Sequence, residues 1–359
     1  MQQRMFIGLD VHARSVKAGL LDGESGEVTV RSAPPRTEEL VPWLREQGES
    51  LSVAYEAGPT GFGLARALAE AGVACVVAAP SRIERAPADR VKTDRRDAIR
   101  LARLLRLGEL TAVRVPDEDE EAARDLVRAR EDARTDLMRA RHRLSKLLLR
   151  QGLVWEGKAW TQAHERWLAT QHFARRPLQI TYEEAMATVQ GVRARREALD
   201  AAIAIEAGGP RWAQTTGRLA CLRGVSTLTA FGLAVEVGEW ERFTGRSIGA
   251  YLGLVPSESS SGMRRRQGAI TKTGNTHARR LLVEAAWQQR RSSWQGGREL
   301  ARRREGQPAA VRARAELASR RLYRRWAALD ARGKRPTVSA VAVARELAGW
   351  CWSLAVMEV

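Results

Sequence analysis

Up to about residue 115 the apolar positions fall in short runs separated by turn residues, a pattern of brief strands and helices. Met5–Asp10 is apolar and ends in a carboxylate. Ser15–Leu21 and Glu27–Ser32 are separated by turn signals at Asp22-Gly23 and Ser25-Gly26. Three short strands joined by tight turns predict an antiparallel meander. Thr37–Gln47 then reads as a helix, with Thr37 as its N-cap and Leu40, Val41 and Leu44 on one face. A strand at Leu51–Tyr55 ends at Glu56, a helix at Gly61–Ala71 is closed by Gly72, and a further strand occupies Val73–Ala78 before Pro80. The last helix of this region, Thr93–Leu107, carries Ile99, Leu101, Leu104 and Leu105 and stops at Gly108.

The period changes at Asp117–Gln151. Ala123, Leu126, Ala133, Leu137, Ala140, Leu144 and Leu147 recur at three- and four-residue steps, interrupted at Arg130, and Gly152 ends the run. A long amphipathic helix needs a partner, and Tyr182–Ala207 supplies one, so an antiparallel coiled-coil hairpin is predicted. The tract between them, with Trp155, Trp160 and Trp167, reads equally as helix or as an insertion that contacts substrate. From about residue 211 the pattern is helical, broken by a Gly/Ser-rich loop at Gly253–Gly274. Two closing helices, near Pro308–Asp330 and Val338–Met357, are joined by the turn-like stretch from Arg332 to Pro336. The expected organisation is therefore an α/β domain over 1–115, a long-helix region over 116–210 and a mostly helical domain over 211–359.

Charge gives the first functional direction. The net charge is +18, an excess that attracts polyanions, nucleic acid foremost. Six of the 60 basic residues are lysines, a bias that GC-rich coding explains, but codon bias does not explain the excess of basic over acidic residues. No run of about 18 apolar residues suggests a membrane span, and the N-terminus lacks the pattern of a secretory signal, so a cytoplasmic, nucleoid-associated protein is expected. Cys75, Cys221 and Cys351 lie far apart in apolar contexts and read as buried thiols. Trp287 and Trp294, within the arginine-rich stretch from Arg279 to Arg304, and Trp350 and Trp352 near the C-terminus read as packing residues.

Four carboxylates stand at the ends of predicted elements: Asp10 in FIGLDVH, Glu56 in VAYEAGP, and Asp94 and Asp97 in KTDRRDA, the last two on one helix face by their i, i+3 spacing. The order of elements is the layout of ribonuclease H-like folds, in which the first and fourth strands are neighbours and the last helix crosses them. All four acids then converge, and their mutual repulsion calls for cations. Oxygen-only ligation suits Mg²⁺, with Mn²⁺ accepting the same donors, and a metal pair about 4 Å apart serves phosphoryl chemistry. His12 shares Asp10's face by alternation and is read as a bystander. Farther along, LACLRGVSTLTAFGLAVEVG resembles a helix-hairpin-helix, whose turn at Arg223 can present backbone N–H groups to a phosphate. The loop after it holds Ser257, Ser259, Ser260 and Ser261, then Arg264, Arg265, Arg266 and Lys272. Together with Arg279 and Arg280 in the stretch that follows, these cations are the candidate nucleic-acid contacts. A serine among flexible glycines and cations can attack a phosphodiester, but spacing alone does not choose between Ser260 and Ser261, and a phosphate-contacting loop is the simpler reading. His277 is a further candidate beside the loop.

These segments together resemble the DEDD-type insertion-sequence transposases, whose N-terminal domain is similar to RuvC-like junction resolvases. The resemblance rests on GLDVH, YEAGPTGFGLARAL and KTDRRDA, then on LRGVSTLTA, YLGLVPSESSSG and ITKTGNTHARR. It implies that Asp10, Glu56, Asp94 and Asp97 form the acidic quartet and that Ser261, before the loop glycine, is the nucleophile. It further implies a covalent phosphoserine link to DNA assisted by Mg²⁺, and a homodimer or homotetramer pairing one protomer's carboxylates with another's serine. Donor and target DNA are then chosen by a structured guide RNA. The alternative is a metal-dependent nuclease that uses water as its nucleophile.

Overall fold

A computed structural model of the chain describes residues 4–83, 93–261, 264–291 and 297–358, and for residues 260, 261, 264 and 265 the backbone alone. Two compact units result, 1–117 and 118–359.

The first unit is a mixed sheet between helices. Its strands are β1 (Arg4–His12), β2 (Ser15–Asp22), β3 (Val28–Ala33), β4 (Ser50–Glu56) and β5 (Ala74–Ala78). Their spatial order is β3-β2-β1-β4-β5, antiparallel among β1, β2 and β3, and parallel from β1 through β4 to β5. The parallel steps cross through helices α1 (Thr37–Arg45) and α2 (Gly63–Glu70). The expected N-cap at Thr37 is one residue late: Arg36 holds the cap position without a side-chain bond, and its carbonyl receives the Leu40 N–H at 2.8 Å. One face of the sheet is apolar, where Ile7, Leu9, Val53 and Tyr55 pack with Leu40 and Leu44 of α1 and Leu64 and Leu68 of α2. The opposite face receives α3 (Asp94–Leu107), bounded as expected by Thr93, whose side chain accepts the Arg96 N–H, and by Gly108 at φ 70°. The outer edge of β5 is covered by the chain at 111–113, where the Val113 N–H reaches the Val77 carbonyl at 2.7 Å. The arrangement is compatible with a ribonuclease H-like domain.

The second unit begins with α4 (Glu118–Arg150), followed by α5 (Gln162–Ala169) and α6 (Arg176–Ala207). Helices α4 and α6 run antiparallel: Val127 packs with Ile203 and Ala207, and Leu147 and Leu148 cluster with Tyr182 and Val189. The break in the apolar stripe at Arg130 is an ion pair across the hairpin, Arg130 Nε to Asp200 Oδ1 at 2.6 Å. Helix α6 starts six residues before the expected Tyr182, because Pro177 occupies its first turn, where a missing N–H costs nothing. The tryptophan tract resolves into packing: Trp155, Trp160 and Trp167 surround His164 with ring centroids 5.2–5.6 Å apart.

Beyond these lie α7 (Ala213–Ala220), α8 (Thr227–Val237), α9 (Ser247–Tyr251), a hairpin of β6 (Pro256–Ser261) and β7 (Arg264–Ile270), and then α10 (Thr276–Ala286), α11 (Arg298–Arg304), α12 (Ala309–Asp330) and α13 (Pro336–Ala355). Leu219, Leu233, Leu282, Leu322 and Leu347 form their common core. Phe231 and Val235 of α8 reach Val127 and Ile203, so the long helices and the later ones share one compact unit with no break at residue 211. Trp287 packs on Trp326 at 5.4 Å, and Trp350 and Trp352 rest on the core, whereas Trp294 lies outside the described residues. Among the described residues no helix is long and apolar enough to cross a membrane.

Candidate metal centre and serine hairpin

Two glycines bring the acidic residues together. A Cβ on Gly8 would run into the Ala98 carbonyl, and one on Gly19 would lie 2.8 Å from it. Bare backbone on β1 and β2 therefore lets α3 press onto the sheet through Ala98 and Ala102, both fully buried. Asp10 and His12 follow Gly8 on the same strand face, so the first turn of α3 arrives beside them. The Asp10 and Asp94 carboxylates and the His12 ring each place a ligand atom within 4.8 Å of the others. His12 Nε2 lies 3.4 Å from Asp10 Oδ1 and 4.0 Å from Asp94 Oδ1.

Asp97 sits one turn along α3 and meets Arg100 at 3.4 Å. Burial raises the pKa of Asp10, and the negative charges of Asp94 and Asp97 raise it further against the opposing pull of His12. An oxygen-rich set in which the ionisation of Asp10 is disfavoured fits a hard divalent cation. Glu56 is exposed and stands outside the close group, one position past Tyr55, the last residue of β4 in register with β1. Lys17, opposite Asp10 on β2, donates instead to Ser32 Oγ at 2.7 Å.

The serine segment is a two-stranded hairpin where a loop was expected. Ser259 pairs with Arg266, Ser260 with Arg265 and Ser261 with Arg264, so Ser261 closes the ladder at its tip. The side chains of Ser260, Ser261, Arg264 and Arg265 lie outside the described residues, as do residues 262 and 263. Arg266 and Lys272 are exposed.

Three of the expected nucleic-acid contacts are committed elsewhere in this structure. Arg279 is buried and donates to the carbonyls of Leu252 at 3.0 Å and Thr273 at 2.7 Å, bracing the foot of the hairpin. Arg223 is buried against the Arg291 carbonyl, and its turn packs under Ala285, where Gly224 alone fits. Arg280 pairs with Glu284 at 2.7 Å and with Glu131 of α4.

Residues 7–151, which include all four acids, match a DEDD-type transposase family, and residues 217–301, which include the hairpin, match the family described as Transposase IS116/IS110/IS902. The Sinorhizobium fredii protein y4qE, which bears a transposase name, is 43% identical over 359 residues, covering 98% of this chain and 88% of that protein. The chain belongs to the IS116/IS110/IS902 transposase family. The transposase of insertion sequence IS1533 from Leptospira borgpetersenii is 33% identical over 93% of this chain and 99% of its own length. A shorter match, 40% over 70 residues, joins it to a Pseudomonas aeruginosa family 20 transposase.

Two features of this transposase were undervalued or missed in the sequence reading. His12, placed on the face of Asp10 by strand alternation but read as a bystander, lies within the close group. Glu236 is the second: a lone carboxylate in the apolar helix α8, fully buried at its side chain. It accepts Arg128 of α4 at 3.2 Å on each oxygen, Asn275 Nδ2 at 2.6 Å and His277 Nδ1 at 3.1 Å. Burial opposes ionisation, yet hydrogen bonds from His277, Arg128 and Asn275 hold its pKa down at about 2. Asn275 also caps α10 by accepting the Ala278 N–H at 2.9 Å, so this one acid ties α4, α8 and α10 together behind the hairpin. A single charge inside an otherwise apolar run was the available signal.

Proposed function

We propose that this family member cleaves and rejoins DNA through Ser261, assisted by divalent cations at Asp10, Glu56, Asp94 and Asp97. The observation that carries the reading is the convergence of Asp10, Asp94 and His12 within 4.8 Å where α3 crosses β1. Divalent cations held there, Mg²⁺ or Mn²⁺, supply stabilisation of negative charge on a phosphate under attack. Asp10 and Asp94 are the primary holders, Asp97 strengthens the local negative field, and Glu56 completes the set from the neighbouring strand. His12 orients Asp10 through its Nε2. In the cleavage step the Ser261 oxygen bonds to phosphorus as one sugar–phosphate bond breaks. The serine proton passes to a base, and the departing sugar oxygen is protonated. Exposed Arg266 and Lys272, with Arg264 and Arg265, contribute positive charge along the hairpin for nucleic-acid phosphates. A structured guide RNA and a homodimer or homotetramer belong to the same proposal, supported by the basic excess and by the family.

The test is an incubation of the purified protein with labelled duplex DNA, element-end RNA and Mg²⁺, resolved on a denaturing protein gel. Label that migrates with the protein and is lost on Ser261→Ala and on Asp10→Ala is the expected result. Free cleaved DNA without protein-linked label would replace this reading with the water-using nuclease.

A further inference from the structure

Among the described residues two that are not glycine hold a positive φ, Trp160 at 62° and Lys272 at 56°. Left-handed backbone costs an L-residue with a full side chain about 1 kcal/mol or more, and such strain persists where neighbouring structure fixes it. Trp160 has a local cause, since its N–H donates to His164 Nδ1 at 3.0 Å. Lys272 is different. Its backbone is clamped from both sides: the Thr271 N–H bonds the Val255 carbonyl at 2.9 Å, and its own N–H bonds the Gly253 carbonyl at 3.1 Å. Arg279 then holds the Thr273 carbonyl. Gly253 and Gly274 complete the clamp at φ 65° and 69°, and a Cβ on Gly253 would collide with the Thr273 backbone.

The Lys272 side chain, by contrast, is exposed. On either side of it the Thr271 and Thr273 hydroxyls lie 3.2 Å apart. Glycine or asparagine would sit here with less strain, so backbone geometry does not account for a lysine. An exposed ammonium on a fixed backbone, with hydroxyls on the residues before and after it, supplies the donor types that the oxygens of a phosphodiester accept.

We propose that Thr271, Lys272 and Thr273 form a phosphate clasp at the foot of the serine hairpin, gripping the nucleic-acid backbone away from the tip that carries Ser261. The proposal rests on the reading that the hairpin engages nucleic acid. The bound phosphate belongs to duplex DNA or to structured RNA, and the experiment separates them. Full-length wild type, Lys272→Gly and Lys272→Asn are titrated against a labelled duplex and, separately, an element-end RNA over a range of salt. Both variants relieve the strained backbone, so their melting temperatures are expected to equal or exceed the wild type's. On the polymer that uses the clasp, the slope of log affinity against log salt becomes shallower by about 0.9 for duplex, equivalent to about eightfold weaker binding at 0.1 M salt. Lys272→Arg keeps the charge and is expected to keep the slope. Unchanged slopes and affinities on both polymers in Lys272→Gly and Lys272→Asn would overturn the clasp. If wild type still forms the Ser261-dependent adduct in that case, the clasp alone fails. If wild type binds neither polymer, the reading of the hairpin fails with it.

Discussion

Replacing Glu236 by glutamine removes one buried charge and keeps the volume, which isolates the electrostatic part of its role. The wild-type carboxylate accepts from Arg128, Asn275 and His277 at 2.6–3.2 Å, and these bonds hold its pKa at about 2 against an ordinary value of 4.5. That displacement corresponds to roughly 3 kcal/mol of stability at neutral pH. The sign follows from proton uptake. Between pH 4.5 and about 2 the unfolded chain takes up a proton that the folded chain refuses, so this stabilisation is complete above that window and lost on acidification through it. Glu236→Gln is therefore expected to be less stable than wild type by roughly 3 kcal/mol near neutrality, with the gap closing as the pH falls below about 4.5. Ten of the eleven tryptophans lie in residues 118–359, so intrinsic fluorescence during urea unfolding at several pH values reports the relevant unit. A gap of constant size from neutral pH down to about 3 would refute the reasoning and make Glu236 a packing residue.

Three further outcomes are expected. Gly8→Ala forces α3 away from β1, so it should cost about 1–3 kcal/mol by calorimetry and weaken Mn²⁺ binding although every carboxylate remains. Asp10→Asn should lower Mn²⁺ affinity by more than about tenfold in isothermal titration. In wild type, because the Asp10 pKa is raised, proton competition should set in at a pH above the ordinary carboxylate range; an affinity flat down to that range would contradict this. Arg130→Leu should destabilise the α4–α6 hairpin by leaving Asp200 without its 2.6 Å partner, whereas Arg130→Leu with Asp200→Leu should recover most of the loss. A double variant no more stable than the single one would show that the pair does not act as a unit.

The first unit was legible because each of its elements has a local signature. Asp22-Gly23 and Ser25-Gly26 mark the turn between β2 and β3, and Thr93 and Gly108 bound α3. The ribonuclease H-like layout that those elements suggested made β1 and β4 neighbours under α3, and of the four acids expected to converge there Asp10 and Asp94 meet closely. The part played by Gly8 and Gly19 was not legible, since a glycine in a strand looks the same whether it is a weakness or a docking surface. The serine hairpin was hidden for another reason. Its strands, PSESSS and RRRQGAI, are nearly free of apolar residues, so period-two patterning has nothing to register. The burial of Arg223 and Arg279 was likewise invisible, because a count of basic residues does not say which of them hold up the chain's own carbonyls.

The hairpin also behaves as a cantilever. It is fixed at Gly253 and Lys272 and carries Ser261 at the far end of a ladder that spans Pro256 to Ile270. Seven residues of β7 at about 3.3 Å each make an arm of roughly 20 Å. Over that length a tilt of about 10° at the foot carries the tip through roughly 3–4 Å. Productive geometry tolerates about 0.5 Å, so the foot must hold its angle to within one or two degrees, by the same estimate. If Ser261 is the nucleophile, as proposed, angular stiffness at Lys272 and Gly274, braced from behind by Arg279 and by Asn275 on Glu236, sets the aim of the reacting group from a distance. On that proposal, substitutions at the foot should degrade the accuracy of the cut, spreading it over neighbouring phosphates, before they abolish cutting.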